Sequence, residues 1–156
     1  MVDLLVRPDA QPLLSAPERR ALVARLRAAL AALQLSKSQV TLLLTMDGEI
    51  RQLNRDYRKM DRATDVLSFH QQEFRGENDP DCHNTFLGDL VISLETALRR
   101  SGKGRLPGEL ARLVIHGHCH LLGHDHKRPT QAMKMRALEA RLLRASRAGK
   151  GGTRAR

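Results

Sequence analysis

Apolar and polar positions along this 156-residue chain fall into two rhythms, and each rhythm marks its own kind of element. VDLLV (2–6) is a short apolar run that reads as a first strand. Ser15 followed by Pro17 opens a helix, because proline's missing N–H costs little in a first turn. Leu22, Val23, Leu26, Leu30 and Leu33 then recur at helical spacing, predicting an amphipathic helix to about Leu35. VTLLLTM (40–46) reads as a buried strand, with Asp47-Gly48 as a turn after it. Ile50, Leu53, Asn54 and Tyr57 predict a short helix that ends in the basic RKMDR segment. VLSF (66–69) and FLGDLVIS (86–93) read as two further strands, separated by a loop over residues 70–85 that contains Gly76, Pro80 and several acids.

SGKGRLPG (101–108) reads as a second loop. From Pro107, a helix carrying Leu110, Leu113, Val114 and Cys119 runs down to Gly123. A last helix is expected from Thr130 to Ala145, with Met133, Leu138 and Leu142 as core contacts. Four strands and four helices in mixed order predict a single α+β domain over residues 1–145, with a four-stranded mixed sheet. Residues 146–156, rich in glycine and basic residues, are expected to be a disordered tail.

Composition narrows the class. The chain is 41% apolar and 28% charged, ordinary for a globular domain, but its 3% aromatics leave the core to Leu, Val, Ile and Ala. No apolar run approaches the roughly 18 residues that a membrane span needs, so no membrane partner is expected. The start, MVDLLVRPDA, lacks the basic-then-apolar order of a signal peptide. Two cysteines, Cys82 and Cys119, make no disulfide framework, and a cytoplasmic location is expected. The net charge of +10 is lopsided: Lys127 to Arg156 holds ten basic residues against one acid, Glu139. Such a footprint fits a polyanion, most plainly nucleic acid, against the plainer reading of a solvated helix with a soluble tail.

Candidate chemistry concentrates at residues 116–126, HGHCHLLGHDH, which hold five of the seven histidines. His116 and His120 stand four apart on the predicted helix, so they share a face about 40° apart around its axis. Gly123 can end the helix in a left-handed conformation and let the chain fold back, bringing His126 towards the same point. Three imidazoles with a fourth position open are the donor set of a catalytic zinc site, whereas structural sites close with four protein ligands. His118 points to the opposite side and is not expected to be a ligand. His124 is left unplaced, Cys119 reads as a small buried side chain, and Asp125 as either an acceptor for a ligating imidazole or a turn residue. The spacing also matches metzincin metallopeptidases, but their general base follows the first histidine, where this chain has Gly117.

In LNRDYRKMDRATDVLSF (53–69), FLGDLVIS (86–93) and HGHCHLLGHDH, taken in that order, the sequence resembles the YbeY-type endoribonucleases, bacterial rRNA maturation factors. The resemblance runs from about Val2 to Arg144. It implies a zinc-dependent, single-strand-specific endoribonuclease acting in 3′-end maturation of small-subunit rRNA and in ribosome quality control. It also implies one zinc ion per chain, held by His116, His120 and His126, and a functionally important Arg58. Its implied partners are precursor rRNA, the small ribosomal subunit and ribosome-associated proteins. His70 stands where the family commonly has Pro, and Cys119 and His124 where it more often has Leu and Tyr.

The chemistry agrees with the resemblance. Phosphodiester cleavage builds negative charge on oxygen, which a metal ion can stabilise. A guanidinium such as that of Arg58 matches phosphate oxygens in pairs and stays charged at any working pH. No carboxylate is an obvious general base; Thr64 and Asp65 read as braces for the next strand. The basic C-terminal helix is expected to hold the RNA backbone, and with Tyr57 as the one tyrosine, contact through phosphates outweighs base stacking. The rival readings are a metal-containing ribosome-assembly factor without catalysis and the metallopeptidase.

Overall fold

A computed structural model describes residues 1–71 and 86–148. Nine principal elements follow in the order β1 (Val2–Val6), α1 (Ala16–Ala32), β2 (Gln39–Thr45), α2 (Asp47–Arg58), β3 (Val66–His70), β4 (Phe86–Ser93), α3 (Leu94–Ser101), α4 (Leu106–Leu121) and α5 (Pro129–Ala148). The four strands make one mixed sheet in the order β1-β2-β4-β3. β1 and β4 run parallel to β2, and β3 pairs antiparallel with β4, Leu67 opposite Val91. The expected α+β domain is therefore present.

Side-chain alternation sorts the sheet into two faces. Leu42, Leu44, Leu90 and Ile92 point into the main core with Leu22, Leu26 and Leu30 of α1 and Leu110, Leu113 and Val114 of α4. Leu67 and Val91 point the other way and pack with Ile50 of α2. β4 is buried almost end to end, as a strand covered on both faces must be.

The start of α1 is built as its sequence dictates. Ser15 Oγ accepts the Glu18 N–H at 3.4 Å while the Glu18 carboxylate accepts the Ser15 N–H at 2.8 Å, a reciprocal capping box.

Four expectations need correction. Among the described residues there are five α-helices rather than four, since α3 follows β4 without a break. Its cap is Ser93, whose Oγ accepts the Thr96 N–H. Asp47-Gly48 is not a turn but the first turn of α2. Asp47 is held there by its neighbours: its carboxylate accepts from Ser93 Oγ and Thr96 Oγ1, both at 2.6 Å, and pairs with Arg99. Met133 is 66% exposed, and Met135 takes the core position with Leu142. α5 also runs to Ala148, past the expected Ala145. Most of the expected 70–85 loop and the end of the tail lie outside the described residues. None of the described helices is long and apolar enough to cross a membrane.

Candidate metal centre

α4 carries the site, and its seat on the sheet sets the site's position. The helix lies so close that a Cβ at Gly117 would stand 2.9 Å from Leu90 Cδ2 and 3.2 Å from Ser68 Oγ. Ser68 Oγ–H donates to the Gly117 carbonyl at 3.1 Å. With Gly117 turned to the sheet, His116 and His120 lie half-buried on another face. The helix then ends in a Schellman motif: Gly123, at φ +85°, donates to the His120 carbonyl, and His124 N–H reaches back to the Cys119 carbonyl, each at 3.0 Å. A side chain with a Cβ would be strained at that φ, so the glycine turns the chain there. Asp125 then accepts the His126 N–H at 2.7 Å, tightening the return.

The result gathers His116, His120 and His126 with one potential ligand nitrogen each, all within 4.8 Å of one another. Ring centroids are 4.8 Å apart for His116–His120 and 5.3 Å for His120–His126. Two of the imidazoles are oriented from behind. His116 Nδ1 lies 2.6 Å from Glu139 Oε1 on α5, and His120 Nδ1 lies 3.0 Å from the His124 carbonyl. Both acceptors favour the proton on Nδ1, which leaves each Nε2 lone pair for an ion. Burial, with the nearby His116 adding to it, holds His120 below the ordinary imidazole pKa, so its neutral, ligating form is favoured. A partly pre-oriented set of three imidazole nitrogens fits zinc.

The other histidine of the helix behaves differently. His118 is fully buried, its pKa is pushed down to about 4 by desolvation, and neither ring nitrogen has a hydrogen-bond partner among the described residues. It points away from the triad, as its helical position dictates. Cys119 is buried against Ile115, Met135 and Leu142. Asp125 serves the turn and Lys127 rather than an imidazole. Asp65 braces β3, accepting the Val66 N–H at 2.8 Å and pairing with Arg100. Arg58 stands exposed at the end of α2, with no hydrogen bond or ion pair joining it to the triad among the described residues.

Sequence reasoning missed Glu139 as the carboxylate behind His116. The signal available was its standing as the one acid in a basic segment. Beside the triad, a cleft of about 270 Å³ opens between α4 and α5, walled by Arg112, His116, His126, Arg136 and Glu139.

Comparison with known proteins follows the same line. The family model described as Endoribonuclease YbeY matches residues 14–147. A protein of that name from Anaeromyxobacter dehalogenans is 44% identical over 144 residues, covering 91% of this chain and 72% of its relative. Its namesake from Myxococcus xanthus is 50% identical over 120 residues, 75% of this chain, though the match spans only 40% of that longer protein. In Aquifex aeolicus the figures are 43% identity, 74% of this chain and 75% of the relative. The solution structure of TM1509 from Thermotoga maritima shares the fold, with a TM-score of 0.62 at 21% identity over 100% of this chain and 99% of that one. With the family model matching most of this chain and relatives this similar, the chain belongs to the endoribonuclease YbeY family.

Proposed function

We propose that this protein is a zinc-dependent endoribonuclease that hydrolyses phosphodiester bonds in single-stranded RNA. We place it in 3′-end maturation of small-subunit rRNA and in ribosome quality control in the cytoplasm. The observation that carries the reading is the three-histidine centre, the donor count of catalytic rather than structural zinc sites, which would hold one zinc ion per chain. When bound, zinc supplies Lewis acidity and water activation at neutral pH.

The chain's own residues do the rest. Glu139 and the His124 carbonyl hold two imidazoles in the tautomer that faces the centre. Arg58, paired with no described acid, is available to clamp phosphate oxygens through its planar fork. Helix α5 carries basic side chains that suit a phosphate backbone. The residue after the first histidine argues against peptide hydrolysis, since Gly117 faces the sheet and offers no base.

The test is cleavage of a single-stranded RNA by zinc-loaded protein, with His120→Ala in parallel. Cutting that disappears in the variant supports the reading. If both proteins leave the RNA intact while binding it equally, a non-catalytic role in ribosome assembly replaces it.

A further inference from the structure

Beside the triad lie two arginines that the proposed chemistry has not used. Arg112 precedes His116 by one helical turn, so its side chain rises from the same stripe of α4, roughly 6 Å along the axis. Arg136 stands one turn before Glu139 on α5 and faces Arg112 across the 270 Å³ cleft. The floor between them is apolar, made by Met135 and Ala132.

The two guanidinium groups are prepared differently. Arg112 is held by Glu109, which accepts from Nε at 3.0 Å and from Nη2 at 2.7 Å. A guanidinium has five N–H donors, so this grip fixes its plane and still leaves donors to spend. Arg136 is exposed and makes no ion pair or hydrogen bond with any described residue. Charge completes the case. Arg112 and Arg136 are balanced by Glu109 and Glu139, so a divalent ion on the triad would leave the cleft with two uncompensated positive charges. A phosphodiester offers two acceptor oxygens and one negative charge to that field.

We propose that the α4–α5 cleft seats a backbone phosphate of the RNA strand beside the one at the metal centre, with Arg112 and Arg136 as positioning residues. This rests on the RNA-cleaving reading above and adds the contact that sets the strand's register. Contact through a phosphate by two guanidinium groups, with no Phe or Tyr lining the cleft, makes the seat indifferent to base identity.

The test measures binding of a labelled, 2′-O-methylated single-stranded oligoribonucleotide to the zinc-loaded full chain across a salt series, its integrity checked on a gel. Each lost phosphate contact should make the slope of log K against log salt shallower by about 0.7. Because the two arginines share one phosphate, Arg136→Gln and Arg112→Gln should each make the slope shallower by up to that amount, and Arg136→Lys should restore it. Arg27→Gln on α1, an exposed site away from the cleft, should keep the wild-type slope. In cleavage, Arg136→Gln should raise KM and leave kcat within about two-fold, as loss of uniform binding does. Melting temperatures should match wild type, because Arg136 is solvent-exposed. Unchanged slopes in both cleft variants overturn the phosphate seat, as does an equal change in Arg27→Gln. If wild type cuts RNA while the cleft variants bind with unchanged slopes, the nuclease reading stands and this one falls. If the slopes change but wild type cuts nothing, the seat stands and the nuclease reading falls.

Discussion

Replacing His118 with leucine should make the protein more stable, and more so in acid. The imidazole is fully buried, with neither nitrogen hydrogen-bonded to a described residue. Each buried, unsatisfied polar group costs about 1–3 kcal/mol, while a volume-conserving apolar swap costs less than about 1.5 kcal/mol. With two such groups removed, His118→Leu should gain about 2 kcal/mol at pH 7.5. Acid adds a second contribution. The folded pKa of about 4 lies below the 6.5 of an unfolded chain, so the unfolded state takes up the proton first. The stability is fully present above pH 6.5 and drains away as pH falls towards 4. At pH 5 the loss comes to about 2 kcal/mol, and leucine escapes it, so the gap between the proteins should widen to about 4 kcal/mol. Urea unfolding of chelator-treated proteins at several pH values measures this, because the difference cancels the titration of the other histidines. Zinc affinity should be equal in the two proteins. A pH-independent gap, a less stable variant, or weakened zinc binding would each refute the reasoning.

Glu139→Ala should weaken zinc binding by roughly 10- to 100-fold, the usual consequence of removing the acceptor behind a ligating imidazole. Competition against a chromophoric chelator reads that loss, and Glu139→Gln should fall between the two. Gly88→Ala should cost about 4 kcal/mol or abolish folding, as only a few mechanisms can. At φ +138° the added Cβ would lie 2.1 Å from the Phe69 carbonyl oxygen, which is backbone and cannot swing aside. A thermal melt of the purified variant, or its absence from the soluble fraction, provides the check.

Elements whose stabilising contacts are local were legible in the sequence. The histidine spacing worked because i and i+4 on one helix share a face whatever surrounds them, and Gly123 ends the helix where the pattern requires. The strands were legible for a related reason, their alternation being set by the pleat. What escaped was settled by partners distant in sequence. Asp47-Gly48 carries turn chemistry, yet three side chains from the end of β4 and from α3 enlist Asp47 into a helix. α3 is only eight residues long and follows an apolar strand without a polar break, so its start is hidden inside VISLETAL. On α5, Met135, Leu138 and Leu142 follow the i, i+3, i+7 stripe, whereas Met133 and Leu138 are five apart and cannot share it. Glu139 lies 23 residues from His116, and no local pattern connects them.

That separation has a consequence for how the molecule is made. The three nitrogens belong to α4 and the turn behind it, but the acceptor that sets His116 arrives with the last helix. α5 follows the triad in the chain, so the three ligands precede the group that aims one of them. Without α5 docked on α1 and α4, His116 lacks that acceptor while His120 keeps its own, so the triad should hold a metal ion less tightly. Metal affinity is thereby tied to the docking of a separate helix, and a chain truncated before residue 139 should carry all three ligands and still hold metal poorly.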